Sequence, residues 1–187
     1  MHEPMDTDVN AEGPDGTAPL FVSTPPAGAF GRPLAFYAFA QRYLEAADAL
    51  PPPLERFFPV PHHLYRHAIE LALKAYLRAK HVPGDEIKRR IRHNIVEAMN
   101  RARKLGLDSV YTITPPQRAA IRQAYDYEEK LRHCDIVTAM TGYKGLPEID
   151  VLADLARGLV PALKETVFKA LHELLPTDPA PPAPQDG

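Results

Sequence analysis

The chain has 187 residues, 45% of them hydrophobic, and 22 Lys and Arg against 24 Asp and Glu leave a net charge of −2 with neutral histidines. That is enough apolar chain for one core and too little for two full domains. No run of about 18 apolar residues offers a membrane span, the acidic start MHEPMDTDVNAEGPDG lacks the basic and then apolar pattern of a signal peptide, and the single Cys134 can form no internal disulfide.

A soluble, cytoplasmic protein without membrane contact is therefore expected. The 21 prolines gather at the ends. Residues 1–33 and 176–187 are rich in Pro, Gly and Asp without periodicity and read as disordered tails, which leaves 34–175 as one domain. That domain shows almost no strand-like alternation, and its spacing predicts an all-α antiparallel bundle of about five helices.

In chain order, the first helix is expected from Pro33 to Leu50, with Phe36, Phe39, Tyr43, Ala47 and Leu50 on one face and a stop at Pro51-Pro52-Pro53. The second is HHLYRHAIELALKAYLRAKH, from His62 to His81, ended by Val82-Pro83-Gly84. The third runs from Asp85 to Leu105 on the stripe Ile91, Ile95, Met99, Ala102 and Leu105, with Gly106 as its stop. A fourth starts where Thr114 caps and Pro115 takes the first turn, and carries Ile121, Tyr125, Glu128 and Leu131. The fifth opens at Pro147 and reaches Leu175, with a kink or break at Pro161. Residues 133–145 read as an irregular loop.

The second helix raises the functional question. At about 100° per residue, His63, His67, Glu70, Lys74, Arg78 and His81 fall within roughly 80° of one another, and Leu, Ile, Ala and Tyr fill the rest. Such a helix is central, and its titratable stripe is a narrow seam. If the seam is simply solvated, Ala at Glu70 or His93 alters stability by no more than about 0.5 kcal/mol. If it lines a cleft, His67, Glu70 and His93 converge on one point bordered by Arg89 or Arg90, as acid–base chemistry requires.

Charge supports an anionic partner. Residues 60–105 hold eleven Lys and Arg against four acids, a net of +7, together with five of the eight histidines. Both flanks are acidic. RNA is the commonest such partner for a cytosolic protein. Lys74, Lys88, Arg89, Arg90, Arg92 and Asn94 are the candidate phosphate contacts, since a guanidinium fork matches phosphate oxygens. No GxGxxG or GxxxxGK loop accompanies them, so no nucleotide cofactor is expected.

His63 and His67 stand at i and i+4 with Glu70 one turn on, a spacing able to hold a divalent metal. The residues between are Leu64-Tyr65-Arg66, with no HExxH glutamate and with an opposing cation, so no metal is expected. Tyr65, Tyr76, Tyr125 and Tyr127 are spaced for a core or an interface, not for stacking on bases.

The stretch HAIELALKAYLRAKH, the basic linker after it and HNIVEAMNRARKLGL resemble the HEPN superfamily, with its H-x-I-E-L-x-L-K-A-x-L helix and H-D-L opening the next. The resemblance covers residues 62–107 strongly. It implies a compact antiparallel helical bundle, often a homodimer, in toxin–antitoxin, defence or RNA-processing systems, and in many members a metal-independent RNase with an Arg-x(4 to 6)-His motif. Only Arg56 to His62 and Arg56 to His63 have that spacing here, among Pro59 and Pro61, ahead of the main helices. The catalytic role does not transfer to them. An RNA- or nucleotide-binding component without efficient cleavage is expected; a non-catalytic homodimeric module with a cognate protein partner, and an RNase with a non-standard site, are the alternatives.

Overall fold

A computed structural model describes residues 32–51, 59–128 and 145–174. Within them the chain is all-α: six helices of ten or more residues and no strand. We label them α1 (Pro33–Asp48), α2 (Val60–Ala79), α3 (Ile95–Lys104), α4 (Pro115–Asp126), α5 (Ile149–Ala162) and α6 (Lys164–Leu174). Of the two tails, residues 1–31 and 176–187 lie outside the described residues, as do Arg56, Phe57-Phe58, Leu131, Cys134 and the 133–144 segment, whereas Pro33, assigned to the first tail, opens α1.

Helix α2 is the centre, packed by all five others. Leu71 and Leu73, on opposite sides of it, are both buried, as a helix apolar on three sides requires. The small Ala68, Ala72, Ala75 and Ala79 are buried with them, and the core is completed by Ile95 and Met99 of α3, Ile121 of α4 and Leu152, Leu155 and Leu159 of α5. The start of α2 is fixed from two sides. Tyr65 donates to Asp48 Oδ1 at 2.7 Å, and Arg157 of α5 reaches the same oxygen at 2.9 Å. His62 and His63 lie in α2 as its expected span requires, but the helix starts two residues earlier, at Val60, so they are not ahead of the main helices: Pro61 sits in the first turn, where a missing N–H removes no hydrogen bond.

The C-terminus of α2 closes without glycine. The Val82 amide donates to Leu77 O and the His81 amide to Arg78 O, which places His81 at a φ of +61°. A side chain is disfavoured there. His81→Gly is therefore expected to raise the unfolding free energy by about 0.5–1 kcal/mol in urea denaturation. A loss of stability would mean that the exposed His81 side chain, 3.9 Å from Glu173, matters more than backbone strain.

The third predicted helix is in fact interrupted. A short turn, Gly84–Glu86, runs into a π-helical turn, Ile87–Ile91, and α3 begins only at Ile95. The stripe was right in residue type: Ile91, Ile95, Met99 and Ala102 are buried. Continuity failed because the Arg92 amide bonds back to Ile87 O, Arg92 adopts a φ of +47°, and Asn94 starts a new helix by accepting from the Glu97 amide at 2.9 Å. Gly106, at a φ of +88°, follows the end of α3 as expected. Thr114 caps α4 in a reciprocal box with Gln117, and the chain breaks at Leu163, two residues after Pro161.

Candidate functional site

Helix α2 carries Arg66, Glu70 and Lys74 at four-residue steps, so the three side chains stack along one face. Lys74 Nζ lies 2.6 Å from Glu70 Oε1 and Arg66 Nη1 lies 3.2 Å from Oε2. Arg66 Nη2 also meets Glu128, beyond the end of α4, at 2.6 Å and donates to the His93 carbonyl at 3.1 Å. One guanidinium thus joins α2, the junction before α3 and the residue after α4.

This network is interior. Arg66 and Glu70 are each 1% exposed and Lys74 is 8% exposed, so the solvated-seam expectation fails for Glu70 and Lys74. Burial raises the Glu70 carboxyl, but the Lys74 ammonium and then the Arg66 guanidinium outweigh it and hold Glu70 below the usual carboxylate range. The two cations and two carboxylates balance, as burial demands.

Both candidate histidines come to Glu70. His93 Nδ1 is 3.2 Å from Oε1 and His67 Nδ1 is 3.9 Å from Oε2. Because a carboxylate only accepts, the His93 Nδ1–H is the donor, and a neutral ring then keeps its lone pair on Nε2. The His93 side chain is half exposed. His67 differs: it stacks on His63 with ring centres 5.9 Å apart, and Tyr43 of α1 meets it edge-on at 4.4 Å. Burial, partly offset by Glu70, lowers its pKa to about 4, so it is neutral at physiological pH.

The expected convergence of His67, Glu70 and His93 is present in the geometry; the expected border is not. Arg66 and Lys74 contact Glu70, whereas Arg89 is exposed and pairs with Asp85 at 3.4 Å. Lys74 is committed to Glu70 and offers no phosphate contact. Asn94 is committed to capping, and its Nδ2 donates to the Tyr125 hydroxyl at 3.3 Å. Lys88, Arg90 and Arg92 are exposed, and among the described residues none has an acidic partner.

Arg66 was missed in the sequence. It lies about 40° from Glu70 on the wheel, at the stripe's edge. Its i, i+4 relation to Glu70 was the available signal. Tyr65 and Tyr76 are core, as expected, but Tyr125 is 38% exposed.

Glu70, His93 and Glu128 place one potential metal-ligand atom each within 4.8 Å of one another. A divalent ion there would face the Lys74 ammonium and Arg66 guanidinium already bound to Glu70, and charge repulsion opposes it. Among the described residues no helix is long and apolar enough to cross a membrane. No family model, curated protein or solved structure matches the chain.

Proposed function

We propose that the chain is a HEPN-like component of a toxin–antitoxin, defence or RNA-processing system that binds RNA, or another phosphate-bearing nucleotide, without cleaving it efficiently. One observation carries this reading: Lys88, Arg90 and Arg92 stand exposed on the π-helical turn and its end, next to the half-exposed His93, and among the described residues they have no acidic partner. Three uncompensated cations on one turn favour a polyanion.

The weak-cleavage part follows from the network. A metal-independent RNase needs a free cation beside its imidazole to stabilise charge on the phosphate. The cations that contact the His93–Glu70 pair are Arg66 and Lys74, and both are buried and neutralised. His93 can bind or accept a proton from a strand, but among the described residues no free cation contacts its ring, and the exposed Lys88, Arg90 and Arg92 are left to hold the strand.

Incubation of labelled single-stranded RNA with the wild type, with His93→Ala and with Arg89→Ala/Arg90→Ala tests both parts. Binding weakened by the arginine pair, with no product in any lane, is expected. Efficient cleavage in chelator, abolished by His93→Ala, would show an RNase instead. The homodimeric-module alternative has its own support in Phe39 of α1 and Phe168 of α6, 44% and 38% exposed. Salt-insensitive self-association without RNA binding would favour it.

A further inference from the structure

Beyond Asn94 the surface changes character. Asn94, Val96, Glu97, Arg122, Tyr125 and Asp126 line an open hollow of about 300 Å³ between the start of α3 and the end of α4, at the small end of the range for ligand sites. Its walls carry two carboxylates against one guanidinium, a balance that suits a neutral ligand with donors better than a phosphate. Tyr125 is exposed, and its hydroxyl is held by Asn94 Nδ2. Among the described residues the side chains of Glu97, Arg122 and Asp126 take part in no ion pair, so their hydrogen-bonding capacity is open to whatever enters.

The hollow adjoins the site already described along the chain. Asn94 follows His93 directly, and Asp126 stands two residues before Glu128, which pairs with Arg66 at 2.6 Å. A strand lying along the basic turn and His93 would reach the hollow with its next exposed group.

We infer that this hollow receives one unstacked nucleobase, guanine in preference to the others. An aromatic wall accepts any base, because every base has a π-face. The carboxylates discriminate. Guanine presents N1–H and N2–H side by side, a match for two carboxylate oxygens, and its O6 and N7 accept from a guanidinium such as Arg122. Uracil offers a single N–H flanked by two carbonyl oxygens that a carboxylate repels, and adenine and cytosine each offer one amino group beside a ring nitrogen acceptor. The inference rests on the RNA-binding reading for its biological setting, but the hollow itself can be probed without phosphate.

Guanosine, adenosine, cytidine and uridine are the probes, with binding read by saturation transfer from the protein to the ligand protons. Guanosine should bind at least tenfold more tightly than the others. Tyr125→Leu should weaken it at least tenfold, Tyr125→Phe should retain it, and Glu97→Gln/Asp126→Asn should remove the preference. Unchanged circular dichroism and melting temperature of these surface variants separates lost binding from lost fold. Equal binding of all four nucleosides, binding of none, or guanosine binding untouched by Tyr125→Leu overturns the inference. A parallel titration with uridine-only RNA keeps the two claims apart. Salt-sensitive binding there without nucleoside selectivity removes the base site and leaves the RNA reading standing; nucleoside selectivity without salt-sensitive RNA binding does the reverse.

Discussion

Glu70→Ala is expected to destabilise the protein by about 3–5 kcal/mol, a large share of the roughly 5–15 kcal/mol that holds a domain of this size together. The carboxylate is 1% exposed and accepts from Lys74 at 2.6 Å and Arg66 at 3.2 Å. Its removal leaves the Lys74 ammonium buried without a counter-charge and leaves Arg66 with Glu128 alone among the carboxylates it contacts. Uncompensated buried charge, more than the lost attraction, sets the size of the effect. Urea denaturation measures it. A change below about 0.5 kcal/mol would restore the solvated seam. Because this substitution endangers the fold, Glu70→Ala is a poor probe of binding, and His93→Ala, at a half-exposed side chain, is the better one.

Stability is also expected to fall on mild acidification. His67 has an ordinary pKa of 6.5 in the unfolded chain and about 4 when folded, since burial disfavours its charged form. Between those values the unfolded chain takes up a proton that the native state refuses, so stability declines as pH falls from about 6.5 toward 4. The full gap corresponds to roughly 3 kcal/mol. The groups around the ring set the direction: His63, Arg66 and Lys74 oppose a positive imidazole, and Glu70 favours one. From the ordinary Glu value of 4.5 downward Glu70 adds to the loss, because a carboxyl held below that value contributes stability that disappears as it is protonated. His62, half-buried beside the Pro147 carbonyl and also lowered by burial, acts in the same direction as His67. His67→Phe should therefore flatten much of the dependence between pH 6.5 and 4 without abolishing it. Urea midpoints across that range, equal in the wild type at both ends, would refute the buried neutral ring.

What could be read from the chain was whatever depends on residue type at fixed spacing. The central place of α2 followed from its apolar circumference, the start of α4 from Thr114 and Pro115, the stop at Gly106 from glycine's freedom at positive φ, and the break near Pro161 from a missing amide. The meeting of His67, Glu70 and His93 was expected from two helices with a short connection, and it is present although His93 lies in the junction before α3 instead of on a helix. What could not be read depends on partners remote in sequence. Arg66 is buried because Glu128 and the His93 carbonyl come to it from other elements. The interruption before α3 was not legible either: Ile87 and Ile91, four apart, share a buried face in a continuous α-helix too, so nothing in their spacing announces the π-helical turn or the positive φ of Arg92 that ends it. Tyr125 was assigned to a core or an interface on spacing alone, and nothing in that spacing shows that its face of α4 is left uncovered.

On the proposed reading, the exposed cations of the turn before α3 bind a polyanion. The most direct test is the salt dependence of binding to uridine-only single-stranded RNA, for the wild type and for Lys88→Ala/Arg90→Ala/Arg92→Ala. Three or four phosphate contacts predict a slope of log affinity against log salt of about −2 to −3 for the wild type, and the triple variant should bind at least about tenfold more weakly with its slope reduced by about 2. Wild-type binding that ignores salt, or a triple variant that binds with the wild-type slope and affinity, would contradict the account.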